Sequence, residues 1–159
     1  ARVRRPSHIL SLISPNTETT GFQRLDAHHL ELRFHDITEP RDGLTAPSVD
    51  HLRDLLDFAD AARKTGPMLI HCWAGVSRST AAAFIIACQR SAAGQEPQLA
   101  LRLRDIAPYA TPNIHMVRIA DALLCRSGHM VSAALAIRRG NETAWGSAFE
   151  MKENFKNRF

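Results

Sequence analysis

The sequence has only three cysteines in 159 residues, Cys72, Cys88 and Cys125. An odd and sparse set is not the disulfide framework of a small secreted protein, so we expect reduced thiols and a cytoplasmic location. No two of these cysteines have the spacing of zinc ligands, and the eight histidines do not complete a four-ligand cluster. We therefore expect neither a metal site nor a cofactor.

Long apolar runs and concentrated charge are also missing. No stretch is long enough to span a bilayer, and the first residues, ARVRRPSH, lack an apolar signal core, so no membrane partner is expected. The formal net charge is +4, and no basic run carries the interleaved aromatic residues of a nucleic-acid surface. We expect no nucleic acid as a partner, whereas mild positive charge favours an anionic substrate.

The arrangement of apolar residues predicts one α/β domain, and the chain has no internal repeat. Three segments have the pattern of short strands: 9–13, 30–34 and 68–70. Five segments have helical spacing: one that begins between residues 45 and 48 and ends before residue 66, then 79–90, 97–106, 114–126 and 130–139. Because helices separate the strands, we expect a mostly parallel sheet with helices on both faces and a ligand at the carboxyl ends of the strands.

The turn HCWAGVSRST, residues 71–80, follows the third strand and leads into a helix. Backbone N–H groups in such a turn can surround a phosphate at the N-terminus of the helix. Gly75 permits a positive φ, and Arg78 offers a planar fork for two phosphate oxygens. The expected phosphate-binding residues are Trp73, Ala74, Gly75, Val76, Ser77 and Arg78.

The thiol of Cys72 would lie at the bottom of this loop, where the amides, the helix dipole and Arg78 all favour the thiolate. A thiolate below a bound phosphate is a nucleophile aimed at phosphorus. Ser79 can hydrogen-bond to the sulfur and ease its departure in a second step, and we expect His71 to order the loop.

Cleavage of a phosphate ester also needs an acid for the leaving oxygen and later a base for water. Asp36 directly follows the second predicted strand, so it can be held at the carboxyl edge of the sheet. Asp42, in the sequence PRDG, is the alternative acid. Asp36 is preferred because of its place after a strand, and the choice between the two stays open.

Other polar and reactive residues have structural roles in this interpretation. Cys88 and Cys125 have glycine and valine where an arginine would complete the loop pattern, and we expect both to be structural. Asn113 is expected to cap the helix that starts near Ile114, and Asp121 to lie on a solvated helix face.

The turn resembles the HCxxGxxR[ST] signature of the cysteine-dependent protein tyrosine phosphatases, in the HCxxGxSRS form of compact, bacterial-type dual-specificity enzymes. The resemblance implies a three-layer fold with a sheet of four to five strands and a single phosphatase domain over residues 1–159. Residues 141–159 have no counterpart in it and are expected to form a peripheral tail. It also implies catalysis through a phosphocysteine on Cys72, with Arg78 binding phosphate, Ser79 assisting and Asp36 as the acid.

The substrate implied is a phosphorylated protein or a small phosphomonoester. Trp73, Ala74 and Val76 are uncharged, whereas relatives that act on phosphoinositides resemble one another in carrying lysines at these places. Two other functions use the same anion loop: a phosphate-binding module without turnover, and a sulfurtransferase. Arsenate reduction would need a resolving thiol, and none is adjacent to Cys72 in the sequence.

Overall fold

The computed structural model describes residues 5–18 and 25–152. The strands within these ranges are β1 (His8–Ile13), β2 (His28–Arg33) and β3 (Met68–His71). The helices are α1 (Val49–Ala62), α2 (Arg78–Gln89), α3 (Glu96–Ile106), α4 (Ile114–Leu123) and α5 (His129–Ala136). In this part of the chain, no helix combines the length and the apolar character needed to cross a membrane.

The three strands form a parallel sheet in the order β2-β1-β3. Leu10 in the central strand pairs with Leu30 on one side and Ile70 on the other. Because parallel strands end at the same edge of a sheet, the segments that follow β2 and β3 are brought together. Phe34 and Cys72 start these two segments.

The α/β class and the parallel sheet flanked by helices are confirmed. The expected four to five strands are wrong, because the sheet of the described chain has three. Only three segments of the sequence have a strand pattern, and the larger number came from the family resemblance alone.

The core lies between one face of the sheet and the helices. Leu10 and Leu12 of β1 are fully buried and belong to one apolar cluster with Leu55 of α1 and Phe84 of α2. Burial of side chains of this size contributes roughly 1.5–3 kcal/mol each. The sheet and α2 are therefore held rigidly against each other, and the loop between β3 and α2 is fixed at both ends.

The connection between α4 and α5 departs from the predicted pattern. The helix predicted to reach residue 126 ends at Leu123, and Cys125 and Ser127 both have a φ of 53°. Asp121, expected on a solvated face, is buried at 4% exposure and accepts the amides of Gly128 and Met130, each at 2.7 Å. The carboxylate thus stabilises the start of α5, whose N-cap residue is a glycine with no side chain to cap it.

A buried ion pair fixes the end of α2. The carboxylate of Glu96 is 2.7 Å from the guanidinium of Arg126, and the glutamate is fully buried. Arg126 also donates to the carbonyl oxygens of Cys88 and Ser91, at 2.6 and 2.8 Å. Burial raises the pKa of Glu96, but hydrogen bonds from backbone amides and from Arg126 outweigh it, so the pKa is lowered overall.

Replacing Glu96 with glutamine is expected to lower the free energy of unfolding by about 3 kcal/mol at pH 7, because Arg126 is left buried without its counter-charge. Since the folded-state pKa is lowered, this contribution is present above about pH 5 and is lost as the pH falls through that lowered pKa. Urea unfolding of both proteins between pH 3 and pH 7 measures the difference, which should shrink toward the acid end.

The matched control is Glu142→Gln, because Glu142 pairs with Arg139 on the surface, where the two side chains are 89% and 77% exposed. Its loss should change stability by less than about 0.5 kcal/mol at any pH. A similar change in both variants would contradict the role assigned to the buried pair.

Candidate active site

The loop between β3 and α2 places a backbone amide against the sulfur of Cys72. The amide of Gly75 donates to Sγ over 3.3 Å, and Gly75 takes a φ of +73°, which favours glycine. The hydroxyl of Ser79, one residue into α2, lies 3.2 Å from the same sulfur. Cys72 itself is partly buried. The loop thus holds a reachable thiol within hydrogen-bonding distance of two polar groups.

Arg78 closes the other side of the loop and is only 5% exposed. One terminal nitrogen of its guanidinium donates to the carbonyl oxygen of Phe34 over 2.9 Å and approaches the hydroxyl of Ser14 at 3.4 Å. The Nε of Arg78 is buried and has no hydrogen-bond partner among the described residues. A buried donor without an acceptor is costly, so this side of the guanidinium suits a bound anion.

Two carbonyl oxygens of the loop accept hydrogen bonds from residues outside the loop. Ala74 O accepts the amide of Gly146 at 2.8 Å, and Val76 O accepts the amide of Thr111 at 3.0 Å. Thr80 Oγ1 donates to Val76 O as well, at 2.6 Å. In a trans peptide the next N–H points opposite to the carbonyl, so the amides of residues 75 and 77 are directed to the inner side. Such an array of amides binds anions.

Asp36 lies beside this loop. Its Oδ1 accepts hydrogen bonds from Ser77 Oγ and Asn113 Nδ2, both at 2.7 Å, and its Oδ2 is 4.0 Å from Nε of Arg78. Both donors bond to Oδ1, and Oδ2 accepts no hydrogen bond from a described residue. Asp42 is exposed and makes no hydrogen bond or ion pair with any described residue.

No protein-family model and no curated protein matches the sequence. Among solved structures, DUSP15 matches with a TM-score of 0.59 and 22% sequence identity, over 85% of this chain and 80% of that one. The chain has the fold of the dual-specificity phosphatases. The Yvh1 phosphatase domain from Chaetomium thermophilum also matches, with a TM-score of 0.49 and 21% identity over 79% and 82% of the two chains. The bacterial type stays a prediction.

Asn113 joins the start of α4 to Asp36 within this dual-specificity-phosphatase fold. Its Oδ1 accepts the amides of His115 and Met116, at 3.0 and 3.1 Å, which confirms the predicted helix cap. Its Nδ2 donates to Asp36 and to the carbonyl oxygen of Ile37. The cap had a local signal, an asparagine directly before a helical pattern, whereas the contact with Asp36 spans 77 residues and has none.

His71 points onto the sheet rather than into the loop. Its Nε2 is 2.5 Å from the hydroxyl of Ser11, which also lies 2.7 Å from Nε2 of His29. Burial lowers the pKa of His71, and a backbone hydrogen bond at Cys72 opposes this shift. His71 thus contacts β1 directly before the loop, and its role of ordering the loop stays a prediction. In the described ranges, no group of three or more metal-ligating side chains is placed to hold an ion.

Proposed function

We propose that the chain hydrolyses phosphomonoesters through a phosphocysteine on Cys72, as a protein tyrosine or dual-specificity phosphatase. The single observation that carries the proposal is that one loop holds both the sulfur of Cys72 and the guanidinium of Arg78. The Cys72 sulfur accepts a hydrogen bond from an inward-facing amide, and the Nε of the buried Arg78 has no hydrogen-bond acceptor among the described residues. A dianionic phosphate bound there would satisfy both the amides and the guanidinium.

In the first step, the Cys72 thiolate attacks phosphorus and forms the S–P bond while the bond from phosphorus to the ester oxygen breaks. Asp36 gives the proton on its Oδ2 to that oxygen, which leaves as a neutral alcohol or phenol. The inward amides and Arg78 neutralise the charge on the three phosphoryl oxygens, so positioning and electrostatics supply most of the rate.

In the second step, water attacks phosphorus, and the Asp36 carboxylate takes its proton. The S–P bond breaks, inorganic phosphate is released and Cys72 leaves as a thiolate. Ser79, 3.2 Å from the sulfur, donates a hydrogen bond to that thiolate and makes it a better leaving group. The Cys72 thiolate and the protonated Asp36 carboxyl are thereby regenerated, one water molecule is consumed for each ester cleaved, and the cycle requires no metal or other cofactor.

The proposed substrates are phosphotyrosine residues of proteins, with or without phosphoserine and phosphothreonine, in the cytoplasm. The loop adds no lysine to Arg78, since Trp73, Ala74 and Val76 are uncharged. A substrate with several phosphates, such as a phosphoinositide, would therefore find fewer counter-charges than a single phosphomonoester does.

The test is phosphate release from phosphotyrosine peptides, phosphoserine peptides and a phosphoinositide by the wild-type protein with excess EDTA. Release from the peptides and little from the phosphoinositide is expected. Tight peptide binding without release would overturn the proposal in favour of a binding module. A persulfide on Cys72 after thiosulfate treatment, without phosphate release, would overturn it in favour of a sulfurtransferase.

Replacing Asp36 with asparagine removes the proton but keeps an oxygen that can accept from Ser77 and Asn113. We expect kcat/KM for phenyl phosphate, which has a poor leaving group, to fall by about a hundred- to a thousandfold, because kcat/KM reports the steps up to formation of the phosphocysteine. For para-nitrophenyl phosphate, whose leaving group needs little protonation, we expect a loss of about tenfold or less. Steady-state kinetics with both esters measures the contrast.

Asp42→Asn is the matched control, because Asp42 has no polar contact with the described loop residues. Its rates should stay near those of the wild type with both esters. If instead the Asp42 variant shows the dependence on the leaving group, Asp42 is the acid and Asp36 a positioning residue.

A further inference from the structure

The two tryptophans of the chain lie together at the loop between β3 and α2, the proposed phosphate loop. Trp73 directly follows Cys72, and Trp145 belongs to the segment after α5. Their ring centroids are 6.0 Å apart with the planes inclined by 42°. The residues are 69% and 60% exposed, so the pair is largely open to solvent. This distance lies in the range of aromatic contacts, and the open faces can accept another ring.

The backbone on the C-terminal side of Trp145 is fixed by the loop itself. Gly146 donates to Ala74 O, and a Cβ at Gly146 would come within 2.5 Å of Cε2 of Tyr109 and 2.7 Å of Gly75 O. Only glycine fits this crossing. The hydroxyl of Tyr109 also donates to the carbonyl oxygen of Ser147. The segment is therefore held directly against the loop.

A second set of contacts holds the N-terminal side of Trp145. Thr143 Oγ1 donates to Trp145 O over 2.7 Å and accepts its amide over 3.3 Å. Both flanks of the tryptophan are thus bonded, although its own ring is mostly exposed. A side chain fixed in this way needs little further ordering when a ligand binds.

We propose that Trp73 and Trp145 form an aromatic wall that selects aryl phosphomonoesters, phosphotyrosine above all, over alkyl ones. This rests on the proposed function. The indole of Trp73 is attached beside the nucleophile and lies on the solvent side of the loop, where the ester group of a bound substrate must extend. A phenyl ring there stacks on indole, whereas the short alkyl ester of phosphoserine offers no ring. Trp145 is a specificity residue and takes no part in the chemical steps.

The first test compares Trp145→Ala with the wild type on two peptides that differ only in phosphotyrosine or phosphoserine. We expect kcat/KM for the phosphotyrosine peptide to fall about tenfold, mainly through KM, because stacking is lost. For the phosphoserine peptide, a change of less than about twofold is expected. Trp145→Phe, which keeps a ring, should restore most of the loss. Leu135→Ala is the control, because Leu135 is an apolar residue of α5 that is 57% exposed. It should leave kcat/KM unchanged for both peptides.

The second test does not need turnover. In a Cys72→Ser protein, all tryptophan emission comes from this pair. Titration with phenylphosphonate should change the emission, whereas methylphosphonate, which has the same head group and no ring, should leave it nearly unchanged.

An equal loss of kcat/KM for both peptides in Trp145→Ala would overturn the proposed aromatic wall. The segment around Trp145 would then only support the loop. No loss for the phosphotyrosine peptide, or equal emission changes with both phosphonates, would also overturn it. If the wild type releases no phosphate from either peptide, the proposed function fails, and a response restricted to phenylphosphonate would still support the aromatic wall.

Discussion

Cys72→Ser is expected to lose phosphate release from para-nitrophenyl phosphate by at least about four orders of magnitude. A serine hydroxyl is not ionised near pH 7, and a serine nucleophile needs an adjacent base. Among the described residues the Cys72 sulfur has polar contacts only with the Gly75 amide and the Ser79 hydroxyl, and neither is a base. The amides and Arg78 remain in place, so the variant should still bind phosphate. Initial rates and a phosphate titration measure the two properties separately.

The other two cysteines supply the controls for this result. Burial, reinforced by the nearby charge of Glu96, raises the pKa of Cys88 to about 12, so Cys88 stays a neutral thiol in the core. Cys125 is exposed and lies after α4. Cys125→Ser should keep wild-type activity. Retention of more than about a hundredth of the wild-type rate in Cys72→Ser would contradict the covalent mechanism.

Arg78→Lys is expected to lower kcat/KM by about a hundred- to a thousandfold while keeping the positive charge. A terminal nitrogen of the guanidinium donates to Phe34 O, and Nε has no hydrogen-bond acceptor among the described residues and can donate to an anion. A single ammonium group cannot make both contacts. The inhibition constant of inorganic phosphate should rise along with the loss of rate, because the same nitrogen binds substrate and product. Competitive inhibition assays give both values.

Arg53→Lys is the matched control, because Arg53 is an exposed residue of α1 paired with Asp50 at 3.4 Å. Its activity should equal that of the wild type. Because Arg78 is buried, its replacement can also disturb the fold. Circular dichroism of Arg78→Lys distinguishes a folded protein that has lost binding from one that has lost its fold. If a folded Arg78→Lys protein has an unchanged inhibition constant for phosphate, the guanidinium of Arg78 does not bind phosphate, and the prediction is wrong.

Features with a local signal could be predicted from the sequence. The apolar runs of β1 and β3 and the helical spacing of α1 predicted these elements to within a few residues of their observed bounds. Such patterns can be read locally, because the residues that form one buried face lie close together in the sequence. The strand-loop-helix arrangement around Cys72 followed from one continuous stretch. Its glycine, at residue 75, has the positive φ that the turn requires.

Contacts between distant segments had no such signal. Asp121 has the spacing of a surface residue, and its burial depends on a turn in which two non-glycine residues take positive φ. The contact of Gly146 with Ala74 joins residues 72 apart in the chain. Residues 141–159 were expected to be peripheral. Part of this segment, up to residue 152, is described, and residues 153–159 lie outside the described ranges.

The loop between β3 and α2 is completed by chain segments that are far apart in sequence: Phe34 after β2, Asn113 before α4 and Gly146 beyond α5 each contribute a hydrogen bond at or beside it. Closing loops of this length has an entropic cost that is met only when the partners have docked. A growing polypeptide on the ribosome therefore cannot make all of these contacts until residue 146 has emerged. The topology thus couples completion of this loop to a late stage of chain synthesis.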